Sequence, residues 1–221
     1  MNKGFGNDFN KKNSNLDKNF LVEDIELSAQ TKKAIFLARE GKLLESAKIY
    51  NDLIYKGKFN HLTFHRLAGI YERLGKRKEA FQCLQKAINV KKNYAEAYCD
   101  IGRYLLDAKE IKSALNCYSK ALEYKPNLLG AYINIGNIYQ KSGNLVEAMK
   151  FFKKSLKINN NIPITFYNIG TIYAIEKNYI DAEINYKSAL ECDKNFNPAK
   201  IGLAEIYLNT FNIKSLKKLK N

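Results

Sequence analysis

The chain has 221 residues, 46% hydrophobic and 12% aromatic, and 37 basic against 22 acidic residues give it a net charge of +15. A sizeable core is affordable at this composition. No stretch approaches the ~20 apolar residues of a membrane span, and the opening MNKGFGNDFNKKNSN lacks the apolar run of a secretory signal. Cys83, Cys99, Cys117 and Cys192 show none of the close pairing that zinc or redox motifs need. They are expected to be reduced thiols packed in or near the core, in a cytoplasmic protein.

Residues 1–26 are polar and rich in Gly and Asn at the start, which predicts a disordered tail turning helical between Asp24 and Ser28. Beyond them the same residue types recur every 34 positions, dividing the chain into 27–60, 61–94, 95–128, 129–162, 163–196 and a shortened 197–221. In 129–162, Tyr132, Ile135, Gly136 and Tyr139 share one helix face, Ala148, Phe152, Ser155 and Leu156 share a second, and Ser142-Gly143-Asn144 separates them. Each unit therefore reads as a helical hairpin. Unit position 8 is small throughout: Ala34, Ala68, Gly102, Gly136, Gly170 and Ala204. Position 20 is Ser46, Ala80, Ala114, Ala148, Ala182 and then Leu216. Bulky residues alternate with these gaps: Leu37, Tyr71, Leu105, Tyr139, Tyr173 and Tyr207 at position 11, and Tyr50, Leu84, Tyr118, Phe152 and Tyr186 at position 24. Small against large predicts two helices crossing closely.

Asn60, Asn93, Asn127, Asn161 and Asn197 mark the starts of the first helices, and Asn144, Asn178 and Asn212 those of the second. Pro163 and Pro198 suit a first helical turn. In the last unit a helix from Pro198 to about Asn209 is expected to be followed by a short second helix, Ile213 to Asn221, whose Lys214, Lys217, Lys218 and Lys220 form a polar cap or the edge of a longer chain. The net charge is −1 for residues 1–26 and then +4, +6, 0, +4, −2 and +4 along the six units.

This 34-residue pattern resembles the tetratricopeptide repeat family, which places a bulky residue, Leu, Gly and Tyr on its first helix and Ala, an aromatic and Ala on its second. The resemblance runs through residues 27–221. It implies an all-α, right-handed superhelix of about six helical hairpins, working as a non-catalytic scaffold that binds a segment of a partner protein in a concave groove. The family contacts peptides mainly through positions 2, 5, 6, 9, 12 and 13. Carried over, these place Lys32, Arg39, His65, Arg66, Arg73 and Arg103 in the groove as an anion site for an acidic peptide or a chain terminus. A solvated groove balanced by Glu72, Asp100 and Asp107 is the competing explanation. Asn134, Asn137 and Asn168 are the candidates to hold a peptide backbone, with Ile133, Ile164, Tyr167 and Ile175 offering apolar pockets. The family's chaperone-tail clamp does not fit: Ile133 replaces a required Lys, and Pro198 and Gly202 replace its last two basic residues.

Other chemistries find less support. His61 and His65 are four apart and Cys99 shares the repeat position of His65, but no fourth ligand completes a metal site. No nucleophilic triad or phosphate loop appears, so neither an enzyme nor a cofactor is expected. Lys150, Lys153, Lys154 and Lys157 make a stripe that would attract nucleic acid only nonspecifically, and a solvated convex face explains it better. A regulatory or substrate-presenting arm of a glycosyl- or sulfotransferase system, and self-association through an open solenoid end, are the remaining alternatives.

Overall fold

The structure is a computed structural model that describes residues 28–218, with side chains up to residue 210. Among these residues there are helices and turns and no strand. The helices are α1 (28–39), α2 (Leu43–Tyr55), α3 (His61–Arg73), α4 (Arg77–Val90), α5 (Ala95–Asp107), α6 (Ile111–Tyr124), α7 (Leu129–Lys141), α8 (Leu145–Ile158), α9 (Pro163–Ile175), α10 (Tyr179–Cys192) and α11 (Asn197–Lys218). Five hairpins are thus followed by a single long helix. From α3 onward the odd-numbered helices begin 34 residues apart. None of the described helices is long and apolar enough to cross a membrane. The expected disordered tail, residues 1–26, lies outside the described residues.

Two compact units make up the chain, Met1–Ala97 and Tyr98–Asn221. In the first, Ala34 and Ala68 of α1 and α3, and Ser46 and Ala80 of α2 and α4, are buried beside Tyr50, Leu67 and Leu84. Ser46 fills a small-residue position without leaving a polar atom stranded, because its hydroxyl donates to the Ala34 carbonyl at 2.7 Å. In the second unit the gaps are tighter. A Cβ on Gly102 would stand 2.8 Å from the Tyr118 ring, one on Gly136 2.5 Å from Phe152, and one on Gly170 2.7 Å from Tyr186. Each ring lies on the bare backbone of the facing helix, so no side chain other than hydrogen fits there. Gly202 of α11 closes on the other side of Tyr186, at 2.6 Å by the same measure. The first helices of successive hairpins, α7, α9 and α11, lie side by side, and α10 packs between α9 and α11.

Turn chemistry explains where each hairpin bends. The middle residue of each of the five described turns inside a hairpin has positive φ: Gly41, Gly75 and Gly143 at 79°, 74° and 81°, and Lys109 and Lys177 at 64° and 58°. Glycine adopts this conformation freely, whereas a lysine bears a cost of about 1 kcal/mol. In the last unit the corresponding residue is Phe211, which is still less suited to it. There the expected second helix does not form, and α11 runs unbroken from Asn197 to Lys218. The side chains of the lysine-rich end lie beyond residue 210 and are not described.

Capping follows the expectation at two of the second helices, where Asn144 accepts from the Glu147 amide at 3.2 Å and Asn178 from the Asp181 amide at 3.3 Å, whereas Asn212, the third expected cap, lies inside α11. At the first helices only Asn60 behaves so, forming a reciprocal box with Thr63. Asn127 and Asn161 stand one residue too early, since the cap positions belong to Leu128 and Ile162, which make no side-chain cap. Asn93 likewise precedes Tyr94, and Asn197 follows Phe196 as the first residue of α11. Apolar side chains hold these four cap positions because the linking segments turn inward there: Tyr94 is buried and Leu128, Ile162 and Phe196 are half-buried.

Two substitutions test this packing. The Tyr118 hydroxyl is buried with no hydrogen-bond partner, and burial drives its pKa upward. Phe152 fills the equivalent position without a hydroxyl, so Tyr118→Phe should raise stability by about 0.5–1 kcal/mol in urea unfolding. Lys109→Gly and Lys177→Gly should each stabilise by about 0.5–1 kcal/mol in the same measurement, by removing the left-handed strain.

Candidate functional site

In the first unit, Lys32 and Arg39 project from α1 and Arg66 and Arg73 from α3, and all four are exposed. They differ in what they already hold. Arg73 donates from Nη1 to the Ala38 carbonyl at 2.6 Å, which ties the end of α3 to the last turn of α1, where helix carbonyls carry partial negative charge. Arg66 lies close enough to the buried Tyr50 hydroxyl to lower its pKa, against the larger upward push of burial. Among the described residues, no hydrogen bond or ion pair engages Lys32 or Arg39 in this way.

His65 is half-buried, and its Nδ1 lies 2.7 Å from the Tyr94 hydroxyl. Its ring and that of His61 both meet the Tyr94 ring edge-on, with centroids 5.2 and 4.6 Å away. The two histidines thus clasp a buried aromatic residue, a structural task that occupies His65 where the sequence suggests a groove contact. Among the described residues no three His, Cys, Asp or Glu side chains gather as metal ligands. The pKa of His61 is lowered, chiefly by desolvation and then by Lys91 and His65, with Glu96 acting the other way.

In the second unit, Arg103 of α5 is half-buried with its guanidinium 5.0 Å from the centroid of the Tyr104 ring. Asn168 of α9 donates from Nδ2 to Oδ1 of Asn137 on α7 at 2.8 Å and is itself 7% exposed. That bond links two neighbouring first helices and uses one amide donor a bound backbone would otherwise meet. Asn134 is half-buried one turn away. Tyr167 packs between Tyr186 and Phe196, centroids 5.7 and 5.9 Å distant.

Tyr167 also borders a cavity of about 310 Å³ between α9 and α11, whose walls include Thr171, Ile175, Ile201 and Glu205 and whose floor is Tyr186. Ile201 and Glu205 occupy positions 5 and 9 of the last unit, the same positions as Tyr167 and Thr171 in the unit before. Ile201 and Glu205 are missing from the candidates drawn from sequence, although projecting the repeat positions onto α11 would have found them. The four cysteines are free thiols, Cys83 buried and the others half-buried. Burial is the leading cause of the raised pKa of Cys83, Cys117 and Cys192, which keeps them protonated and poorly reactive at neutral pH.

Three family models match the chain: a tetratricopeptide repeat model over residues 130–162, a TPR repeat model over 102–143, and a second tetratricopeptide repeat model over 63–94. No curated protein matches in sequence. Among solved structures, a crystal structure of MamA aligns with a TM-score of 0.61 at 21% identity, covering 73% of this chain and 94% of that one. The C-terminal part of a TPR repeat-containing protein from Cytophaga hutchinsonii aligns with a TM-score of 0.63 at 21% identity, covering 80% and 69%. Pseudomonas aeruginosa pilF aligns with a TM-score of 0.68 at 16% identity, covering 86% and 93%. At these identities the likeness is one of fold.

The histidine clasp carries a pH signature. Because His61 has a folded pKa below its usual 6.5, the unfolded chain binds the proton more readily, so the contribution is present above that value and lost as pH falls through the folded pKa. Urea midpoints followed by circular dichroism should therefore drop as pH falls below about 6.5, and His61→Gln should flatten that part of the profile.

Proposed function

Because this chain is a tetratricopeptide repeat protein, we propose that it works as a non-catalytic scaffold, holding a segment of a partner protein against its first helices. The observation that carries this reading is the cavity between α9 and α11. It opens at repeat positions 5, 9 and 13 of adjacent units, the positions through which the family is expected to contact peptides, and its walls combine Tyr167, Ile175 and Ile201 with the polar Thr171, Glu205 and Asn209. Ile175 and Ile201 are 56% and 60% exposed, although they are large and apolar. An extended segment that inserts apolar side chains here removes that surface from water, at roughly 25 cal/mol per Å².

In the first unit, contact positions 6 and 13 present Lys32, Arg39 and Arg66. These favour an acidic stretch of the partner through charge-assisted hydrogen bonds. Each unit makes its own demand on a partner: aliphatic side chains at the α9–α11 cavity of the second, and carboxylates at α1 and α3 of the first. Such a ligand undergoes no covalent change, and the scaffold's output is the assembly of the partners it holds.

The experiment is site-specific photo-crosslinking in native lysate, with a photoreactive phenylalanine analogue at Ile201 and, as a control, at Tyr55. The expected result is one crosslinked segment containing large aliphatic residues, specific to position 201. Ile175→Asp with Ile201→Asp, and separately Lys32→Glu with Arg39→Glu, should each lower affinity for the corresponding synthetic segment about tenfold or more. All four side chains are exposed or lie outside the core, so the fold should persist. Unchanged affinity in both double variants would retire the proposal.

A further inference from the structure

A larger cavity, about 610 Å³, lies on α8 where that helix meets the C-terminal end of α9. It is a different surface from the one between α9 and α11. Val146, Met149 and Tyr173 supply apolar walls at one end, and Lys150, Lys153 and Lys157 follow along α8. Val146 is 77% exposed, an apolar side chain left to water beside a slot it lines. The positive charge is poorly neutralised. Lys150 reaches Glu147 at 3.3 Å, and Glu176 is the one carboxylate in the lining. Among the described residues neither Lys153 nor Lys157 has a salt-bridge partner. Lys154 also borders the cavity, with its Nζ 5.4 Å from the Phe151 ring centroid and 6.0 Å from that of Tyr132 on α7.

The spacing of these groups selects the occupant. Lys150, Lys153 and Lys157 repeat once per turn and span about 10 Å of helix axis. Carboxylates one turn apart on a second helix, lying alongside at the usual 8–10 Å, would meet them in register. The apolar end would accept two or three large side chains from the same helix. A lipid headgroup concentrates its charge at one point and cannot match a ladder of that length. A nucleic acid strand would find aliphatic walls where stacking surfaces are needed.

We propose that this face of α8 is a second docking site, for an amphipathic helix of another protein that carries large apolar residues on one turn and Asp or Glu at single-turn intervals after it. The interaction is independent of the groove on the first helices, so one chain can hold two partners at once. Each lysine alone contributes little, because exposed ion pairs are screened by water and individually weak. Their sum, combined with apolar burial at the Val146 end, gives the site its selectivity.

The test uses the full chain and a fluorescein-labelled synthetic helix with leucines on its first turn and glutamates along one face thereafter. Fluorescence anisotropy should show saturable binding that weakens with salt, and no binding of the same peptide with every glutamate replaced by lysine. Lys153→Glu with Lys157→Glu, and independently Val146→Asp, should each weaken binding about tenfold. These positions are exposed, and circular dichroism should show unchanged unfolding midpoints. Equal binding by both variants would overturn the proposal. So would failure of the peptide to bind while anionic phosphatidylglycerol vesicles or single-stranded DNA bind in a manner abolished by these variants. Concentration-dependent self-association of the wild type that Val146→Asp removes would assign the face to a second copy of the chain and overturn it equally.

Discussion

An aromatic ring resting directly on helix backbone is the contact on which the remainder of this molecule depends. Where Phe152 lies on Gly136, Tyr118 on Gly102 and Tyr186 on Gly170, even a methyl group would collide. The two helices of each hairpin are therefore brought nearer than ordinary side chains allow, and their crossing is fixed by shape more than by hydrogen bonds. Because ring and gap come from different helices, a hairpin keeps its geometry only if both recur at the same spacing. Here that spacing is 34 residues, and every other feature of the fold inherits it. The first unit follows the same pattern with alanine or serine at the gap positions and Tyr50 and Leu84 at the bulky ones, all of them buried.

Turns and caps come second to that contact and show how local chemistry yields to it. Lys109 and Lys177 accept a left-handed conformation so that α6 and α10 can fold back on α5 and α9. At the starts of the first helices, apolar residues take cap positions where asparagine would better satisfy the backbone. Burial of Leu128, Ile162 and Phe196 between hairpins is worth more there than a side-chain hydrogen bond. Where nothing demands a turn, as at Phe211, the chain stays helical.

Charge is distributed over surfaces that packing leaves unused. The excess of basic residues in the first two repeats is divided among different tasks: Arg73 braces α1, Arg66 lies against Tyr50, and Lys32 and Arg39 are exposed. On α8 the lysine ladder adjoins apolar walls, so electrostatic attraction and hydrophobic burial act on the same ligand. Neither is strong alone, since exposed charges are screened beyond roughly 8–10 Å at moderate salt and the apolar area is small.

Periodicity was sufficient to determine the fold. The alternation of small and large residues, read at Gly136, Phe152 and their equivalents, specifies hairpins and their length because steric exclusion depends on residue size, and size is written in the sequence. The second-helix caps Asn144 and Asn178 were equally readable, since capping is local. Which groove residues remain available to a ligand was not. His65 and Arg73 carry the right chemistry at the right positions, yet Tyr94 and the Ala38 carbonyl engage them, and Asn168 turns to Asn137. Val146 and Met149 read as ordinary helix residues until α9 is set beside α8 and a slot opens between them. Hydrogen bonds and cavities arise between residues about thirty positions apart whose approach is settled by packing, so tertiary structure alone decided which polar groups were already satisfied and where apolar surface stayed open.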